Sequence, residues 1–563
     1  MDKSQLIENQ KNDDPYRCSI SNRTLGELIH LQASRYPDHL AVIDYLHDRR
    51  LTYQELDTVS DDLAKGLIHL GLRQGDHVAV IIDNCWEHVV TKLAISKAGG
   101  VLVNVNIHEK ADMLRRLLEN TECSIMIIKQ RMKNRDHMEM LYEICPELKT
   151  QTAGRLQTVL LPKLRHIIVT GGGGTEGCAW QLNEILKAGE QCSDQLLEDR
   201  AKQLDMDQTA TIIHTSGSSG TPKGVPLTHR QMMLNALEHV HFMKMTTDDR
   251  LCVTAPLFHS LGCIGSMLTT LMAGATMVLF DDLKHEGVLE LLVKEKCTVM
   301  SCVPTILLRL MHHAEEIGGE QKLHLRLCVI AGASCPEEVF RHASEVLHID
   351  HFMVMYGMTE AGPGISSTEL QDPLRMVSTT VGRFWPMVEW KIRDLATGIT
   401  LGENQVGEIC IKGPCVTAGY IRNIEETEKA FEDGWLRTGD IATVDRDGII
   451  RLKGRCKDII IRGGENISPK EIEDFLRQHL KIEDACVVGA PNREFGESVY
   501  AFLILKPEQE LCLEELRSDC KGKISTIKIP EEIEILQQFP LTGSGKIAKE
   551  ELKKIAAEHT RFS

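Results

Sequence analysis

Hydrophobic and polar residues near the start of the chain switch between a helical and a strand period. Thr52 and Glu55 have the spacing of a helix capping box. Apolar residues then recur at helical spacing: Leu56, Val59, Leu63, Leu67 and Leu70. The runs at 77–82 and 101–105 predict strands, and residues 84–98 between them predict a helix. This order predicts a parallel pair of strands with a helix on its face.

Similar apolar runs, each near a helical segment, predict further strands at 251–256, 276–280, 298–303, 327–331 and 352–356. Near residue 400 the pattern becomes richer in strands. The stretch IATVDRDGIIRLKG predicts a hairpin that turns at Asp447 and Gly448.

A smaller unit begins after Arg455. The stretch SPKEIEDFL predicts a helix with Ser468 as its cap, Pro469 in its first turn and Glu471 completing a capping box. Two strands and then two helices are predicted at 485–489, 499–505, 513–522 and 548–558.

The predicted fold class is therefore α/β. A large N-terminal domain of helix-covered, mainly parallel sheets carries a β-rich subdomain, and a small α+β domain follows it. At 563 residues the chain is too long for one compact domain. We place the boundary at 455–457, which gives domains of 1–455 and 456–563.

The composition argues against several classes of protein. A net charge of −17 and an isoelectric point near 5.8 argue against general binding to nucleic acid or to an anionic membrane. The most apolar segment, 264–280, is short and is split by Gly274, so it predicts a buried helix followed by a strand and no membrane span. The polar first residues lack the apolar core of a signal peptide. The 18 cysteines are scattered without a CxxC pair, which favours reduced thiols in a cytoplasmic protein.

The stretch TSGSSGTPKG at 215–224 surrounds one lysine with glycines, serines and threonines, directly after an apolar strand. Backbone N–H groups and hydroxyls in such a loop can converge on one anion, and a following helix would add its dipole. Because Lys223 supplies a full charge, we expect a phosphate-binding loop followed by a helix. A flexible surface turn is the alternative, but it explains neither the lysine nor the strand. The spacing is not that of a Walker loop.

This loop resembles the phosphate loop of the adenylate-forming superfamily, which contains acyl-CoA synthetases, peptide-synthetase adenylation domains and firefly-type luciferases. Further stretches resemble its motifs in the same order: PLFHSLG (256–262), GAS (332–334), YGMTE (356–360), GWLRTGD (434–440), GRCKDIIIRGGENI (454–467) and PLTGSGKI (540–547). Together they span essentially the whole chain. The resemblance implies an enzyme that joins a carboxylic acid to AMP using ATP and Mg²⁺, releases pyrophosphate and transfers the acyl group to a thiol such as CoA.

The resemblance also implies a nucleotide site. Thr359 would donate to the α-phosphate, Glu360 would bind Mg²⁺, and the ring of Tyr356 would stack on adenine. Without the resemblance, a core ring and a solvated acid would be the simpler interpretation of Tyr356 and Glu360. The remaining contacts to ATP would come from Thr215, Ser216, Gly217, Ser218, Ser219, Gly220, Lys223, Gly332, Ala333, Ser334 and Gly357.

Residues of the last third of the chain would act on the ribose, the carboxylate and the thiol. Asp440 would accept hydrogen bonds from both ribose hydroxyls; the alternative is that it is only a turn residue. Arg455 would approach the ribose and the phosphates; the alternative is a surface charge. Lys546 would bridge the carboxylate and the α-phosphate during adenylation; a solvated lysine is the alternative. Lys457 would be the hinge of a mobile C-terminal domain, whose rotation removes Lys546 and brings in RGGEN. Gly463 and Gly464 would then leave room for a pantetheine arm.

His259 resembles the residue that gates the acyl pocket in relatives, although a satisfied core histidine is equally compatible with its neighbours. The segment that follows looks most like medium-chain fatty acyl-CoA synthetases. We therefore predict an ATP-dependent ligase that makes an acyl-CoA from a small carboxylic acid. One alternative is an enzyme that loads an aryl or acyl group onto the phosphopantetheine of a carrier protein in trans. A non-catalytic acyl-nucleotide sensor is more distant, because it would not need the set Lys223, Glu360, Asp440 and Lys546.

Overall fold

The structure is a computed structural model that describes residues 23–132, 135–171, 177–215, 222–281, 285–317, 323–332, 335–462, 465–493, 495–541 and 547–560. It divides into two compact units, one of Met1–Glu389 with Lys412–Leu436 and one of Trp390–Ile411 with Arg437–Ser563. This division follows packing, and packing does not show which segment moves during a reaction. The boundary at 455–457 therefore stays a prediction.

The helices of the described ranges are α1 (Leu25–Arg35), α2 (Tyr53–His69), α3 (Trp86–Lys97), α4 (Ala111–Thr121), α5 (His137–Ile144), α6 (Leu182–Glu190), α7 (Gln195–Ala201), α8 (His229–Met243), α9 (Thr269–Ala273), α10 (His285–Lys294), α11 (Pro304–Ile317), α12 (Glu337–Leu347), α13 (Leu374–Thr379), α14 (Ile424–Ala430), α15 (Pro469–Leu476), α16 (Leu513–Cys520) and α17 (Lys549–Thr560). A π-helix spans Leu261–Leu268, and 3₁₀ turns span Pro146–Thr150, Thr359–Ala361, Cys456–Asp458 and Thr526–Lys528.

The strands up to residue 384 are β1 (Leu40–Asp44), β2 (Arg49–Thr52), β3 (His77–Ile81), β4 (Val101–Asn104), β5 (Ile125–Lys129), β6 (Arg131–Met132), β7 (Arg135–Asp136), β8 (His166–Thr170), β9 (Trp180–Gln181), β10 (Thr209–Thr215), β11 (Lys223–Thr228), β12 (Arg250–Val253), β13 (Thr276–Leu279), β14 (Val299–Cys302), β15 (Leu327–Ala331), β16 (His351–Tyr356), β17 (Ser366–Ser367) and β18 (Arg383–Phe384). The later strands are β19 (Glu389–Arg393), β20 (Gly407–Lys412), β21 (Phe431–Glu432), β22 (Trp435–Val444), β23 (Ile450–Arg455), β24 (Ile460–Arg462), β25 (Glu465–Ile467), β26 (Ile482–Asn492), β27 (Gly496–Leu505) and β28 (Glu532–Ile535).

Two large sheets organise the first unit. One has the order β18-β17-β16-β15-β14-β12-β13-β1-β2 and is parallel from β16 to β1. The other has the order β11-β10-β4-β3-β5-β8-β9 and is parallel except for β11. Their inner strands are buried along almost their whole length, as expected for parallel sheets covered by helices. The predicted α/β class and the strands between residues 77 and 356 are confirmed.

The capping box that begins α2 is also confirmed. Thr52 Oγ1 accepts from the backbone N–H of Glu55 at 3.2 Å, and Glu55 Oε2 accepts from that of Thr52 at 2.8 Å. The segment 264–280 forms the end of the π-helix, the buried helix α9 and β13, as predicted. No helix in the described part of the chain is long and apolar enough to cross a membrane.

The second unit contains the predicted hairpin and the α+β segment. Strands β22 and β23 pair antiparallel around the turn at Asp447 and Gly448. Strands β26 and β27 form a long antiparallel pair, and α17 buries Leu552 and Ala556 against it. The apolar core between this sheet and α15 contains Ile460, Ile472, Leu476, Val487 and Leu503.

The capping box predicted at α15 is wrong. Ser468 is the N-cap residue, but its side chain makes no cap hydrogen bond. Its hydroxyl donates to the carbonyl oxygen of Lys453, and Glu471 Oε1 instead accepts from Lys528 Nζ at 2.6 Å. The side chains of Ser468 and Glu471 thus bond to residues distant in sequence and not to the backbone N–H groups at the start of α15.

Candidate active site

The glycine-rich loop connects two antiparallel strands. Thr215 ends β10, Lys223 begins β11, and the two residues lie opposite each other in the strand register. The expected helix after the loop is therefore wrong: β11 follows, with Val225 and Leu227 buried in alternation, and α8 begins only at His229. The described residues that follow the loop, KGVPLT, have the period of a strand and not of a helix. The predicted phosphate contacts Ser216, Gly217, Ser218, Ser219 and Gly220 lie outside the described residues.

Lys223 is held by a carboxylate and an aromatic ring. Its ammonium forms a short ion pair with Glu426 Oε2 and lies 4.9 Å from the ring centroid of Tyr420. The Lys223 ammonium and then Lys429 keep the pKa of Glu426 below its usual value. The structure thus places an anionic oxygen at the lysine that was predicted to bind phosphate.

Tyr420 joins this lysine to the acidic residue of YGMTE. Its hydroxyl donates to Glu360 Oε1 at 2.9 Å. Burial, together with the charge of Glu360, raises the pKa of Tyr420, so the hydroxyl keeps its proton and acts as a donor. Glu360 itself is only 7% exposed and sits in the 3₁₀ turn after β16. Tyr420, which was not predicted, therefore contacts both Lys223 and Glu360.

Thr359 links YGMTE to the PLFHSLG segment. Its hydroxyl shares a 3.1 Å hydrogen bond with that of Ser260. Asn84 holds the same segment from the other side: its side chain donates to the carbonyl of Ala255 at 3.0 Å and accepts from the N–H of Leu257 at 2.8 Å. Neither Ser260 nor Asn84 was identified from the sequence, although Ser260 lies inside a recognised motif.

Close backbone packing explains one of the motif glycines. A Cβ on Gly357 would lie 1.8 Å from the carbonyl oxygen of Pro363, so no other residue fits there. Gly332 has a φ of +86°, which favours glycine. Tyr356 is the last residue of β16, and Ala333 and Ser334 lie outside the described residues.

In the second unit Asp440 and Arg455 face each other across the β22–β23 pair. Arg455 Nε donates to Asp440 Oδ1 at 2.6 Å, and Asp440 is nearly buried. The two residues predicted to contact the ribose thus form an ion pair with each other.

The predicted hinge, Lys457, lies in the 3₁₀ turn that follows β23. Its Nζ is 3.3 Å from Glu550 Oε1, and its carbonyl oxygen accepts from Lys553 Nζ at 3.2 Å, so residues of α17 hold the turn. Gly463, Gly464 and Lys546 lie outside the described residues. No group of three histidine, cysteine, aspartate or glutamate residues in the described ranges has the arrangement of a metal site.

Comparison with known proteins identifies the class. Residues 29–421 match the AMP-binding enzymes, and residues 471–546 match the AMP-binding enzyme C-terminal domain. The chain is 37% identical over 549 residues to the candidate acyl-CoA synthetase YngI of Bacillus subtilis (strain 168), covering 97% of this chain and 99% of YngI. It is 34% identical over 553 residues to the mitochondrial medium-chain acyl-CoA ligase ACSF2 of Mus musculus, covering 96% of this chain and 89% of ACSF2. The ATP-bound crystal structure of MatB from Rhodopseudomonas palustris matches with a TM-score of 0.82 at 25% identity, covering 95% of this chain and 99% of MatB.

The chain belongs to the AMP-binding enzyme family. It is an AMP-forming acid–CoA ligase, which activates a carboxylic acid with ATP to an acyl-adenylate, releases pyrophosphate and transfers the acyl group to CoA. Mg²⁺ accompanies the nucleotide, as is typical of the family.

Proposed function

We propose that this ligase acts on medium-chain fatty acids. The support is the identity with ACSF2, which is named as a medium-chain acyl-CoA ligase, together with the character of the segment after His259. The π-helix and α9 contribute a continuous set of buried apolar residues: Ile264, Met267, Leu268, Leu271 and Met272. Such a wall would suit an alkyl chain better than a polar acid, and His259 would stand at its entrance.

The observation that carries the proposed mechanism is the connection of Lys223 to Glu360 through Tyr420. In adenylation a carboxylate oxygen attacks the α-phosphorus, and the bond to the bridging oxygen of pyrophosphate breaks. Lys223, Thr215 and residues 216–220 would hold the β- and γ-phosphates, where negative charge accumulates. Thr359 would donate to the α-phosphate.

Glu360 fits the demands of Mg²⁺. One carboxylate, with phosphate oxygens and water completing the shell, is how this ion is usually held beside a nucleotide. The Tyr420 hydroxyl orients that carboxylate from Oε1. When bound, the ion would neutralise phosphate charge.

The remaining residues would serve the nucleoside and the second half-reaction. Tyr356, with Gly332, Ala333, Ser334 and Gly357 around it, would pack against adenine. Asp440 and Arg455 would bind the ribose. Lys546 would bridge the carboxylate and the α-phosphate in adenylation. Rotation about Lys457 would then remove Lys546 and bring Gly463 and Gly464 to the site. Beside these glycines the CoA thiol would attack the acyl carbon and displace AMP.

A panel of acids tests the substrate. Pyrophosphate release and CoA consumption are measured with fatty acids of increasing chain length and with aryl acids, and separately with a phosphopantetheinylated carrier protein in place of CoA. We expect the highest kcat/KM for medium-chain acids with CoA alone. A preference for aryl acids, or thioester formation only on the carrier protein, would contradict the proposal.

The cytoplasm stays our predicted compartment. The support is that every cysteine that the structure describes is a free thiol. ACSF2 is named as mitochondrial, so fractionation of cells that produce the tagged full-length chain is the test, and recovery with an organelle would contradict the prediction.

A further inference from the structure

A buried lysine, with no carboxylate partner in the described part of the chain, is hydrogen-bonded to two residues near the candidate active site. Lys92, on α3, is 2% exposed. It donates to Asn104 Oδ1 at 2.7 Å and to Cys263 Sγ at 3.2 Å, and no carboxylate of the described residues forms an ion pair with it. Burial lowers the pKa of this amine. Both partners belong to segments that lead directly into the site.

Asn104 connects Lys92 to the strand before the phosphate loop. Its side-chain amide donates to Thr211 Oγ1 at 2.7 Å and to the carbonyl of Ile212 at 3.3 Å. The backbone carbonyl oxygen of Asn104 accepts a hydrogen bond from His214 Nδ1 at 3.3 Å. All three partners lie on β10, and the next residue after His214 is Thr215, where the loop begins.

Cys263 connects Lys92 to the segment that carries His259. Cys263 lies in the first turn of the π-helix, and its N–H donates to the carbonyl of His259 at 2.8 Å. Ser260, between them, shares the hydrogen bond with Thr359. A π-helix at such a position is frequent at functional sites.

We propose that Lys92 is a positioning residue that fixes β10 relative to the π-helix and thereby couples the binding of ATP to the binding of the acid. The inference rests on the proposed roles of the phosphate loop and of His259. One ammonium donates to both segments, so a displacement of either is transmitted to the other. Methionine has a similar length but donates no hydrogen bond, so Lys92→Met removes both links while filling the space.

The same helix offers a matched control. Lys97 is also buried on α3, at 8% exposure, but it pairs with Asp57 and Asp61 of α2, each at 2.6 Å, and these ion pairs involve no motif residue. Lys97→Met therefore removes a buried lysine of α3 without breaking the link between β10 and the π-helix.

Hydrogen exchange tests the network without reference to activity. In the full-length protein, Lys92→Met should speed backbone exchange in both 209–215 and 261–268, whereas Lys97→Met should leave these segments unchanged. Unchanged exchange in Lys92→Met would overturn the network itself.

Steady-state kinetics test the coupling. Lys92→Met should raise KM for ATP and KM for the acid, each about tenfold, as expected for loss of a charged hydrogen bond, with little change in kcat. Cys263→Ala should raise KM for the acid alone and should add nothing in the Lys92→Met background. Because it removes a single weak bond, Cys263→Ala keeps the test available if Lys92→Met does not fold. Faster exchange with both KM values unchanged would overturn the coupling. Failure of the proposed phosphate role is distinguished from this by the rate of acyl-AMP formation in Lys223→Ala.

Discussion

The hydroxyl of Tyr420 donates a 2.9 Å hydrogen bond to Glu360 while the same ring lies 4.9 Å from the Lys223 ammonium. One side chain thus contacts both the cation proposed for the phosphates and the carboxylate proposed for Mg²⁺. The segment around Tyr420 is itself fixed to both: Ile421 N–H donates to the carbonyl of Gly224 at 2.9 Å, and Thr417 N–H donates to that of Glu360 at 2.8 Å. The segment around Tyr420 therefore fixes the relative position of Lys223 and Glu360.

Tyr420→Phe should slow adenylation. The change keeps the ring beside Lys223 but removes the donor to Glu360, and loss of a hydrogen bond to a charged group predicts about a tenfold lower rate of pyrophosphate release. The defect should ease as Mg²⁺ is raised. Tyr45→Phe is the control, because Tyr45 donates to Glu290 at 2.8 Å and belongs to no motif. A Tyr420→Phe enzyme with the wild-type rate and Mg²⁺ dependence would contradict this role.

Glu426→Gln should lower KM for ATP. The carboxylate that pairs with Lys223 competes with the phosphates, and the modest net free energy of most ion pairs limits the gain to about two- to fivefold. Since the pKa of Glu426 lies below its usual value, the carboxylate stays ionised and the effect should be constant between about pH 6 and 8. Glu425→Gln is the control, since Glu425 is 80% exposed and pairs only with Lys429 among the described residues. A raised KM would instead mean that Glu426 holds Lys223 in its productive position.

Lys546→Ala separates the half-reactions at the other end of the chain. If Lys546 bridges the carboxylate and the α-phosphate, acyl-AMP formation should fall by about 10²- to 10³-fold. Thioester formation from supplied acyl-AMP should persist, since no bridging charge is needed there. Single-turnover assays of each half-reaction make the measurement. Equal damage to both would contradict the assignment.

Lys457→Pro tests the hinge. Proline fixes φ, so the rotation of the C-terminal segment should be blocked. Adenylation should survive while transfer to CoA collapses. Lys457→Ala is the control, because it removes the exposed 3.3 Å contact with Glu550 and leaves φ free. If Lys457→Pro completes both steps, Lys457 is not the hinge.

The sequence predicted the elements with strong local patterns. The β3–α3–β4 unit and the box at Thr52 and Glu55 follow from period and spacing alone, and the structure confirms both. The strand β11 after the glycine-rich loop was not predicted, because the segment KGVPLT is too short for its alternation to be distinctive. The box at Ser468 failed because a carbonyl fifteen positions away accepts from its hydroxyl.

The candidate site was predicted only where its residues lie inside recognised motifs. Lys223, Thr359 and Glu360 are of this kind. Tyr420 and Glu426 lie about two hundred positions from Lys223, and nothing in their local sequence indicates that they meet it. Lys92 was not predicted for a related reason: nothing in the sequence of α3, WEHVVTKLAISK, indicates that this lysine meets Asn104 and Cys263.

The most direct test of the account is the rate of each half-reaction in Lys223→Ala, with Lys429→Ala as the control for loss of a neighbouring lysine that also pairs with Glu426. If Lys223 holds the β- and γ-phosphates, ATP-dependent formation of acyl-AMP should fall by about 10²- to 10³-fold. Transfer of the acyl group from supplied acyl-AMP to CoA should be unaffected, because that step has no pyrophosphate to bind. A Lys223→Ala enzyme that forms acyl-AMP at the wild-type rate would contradict the account.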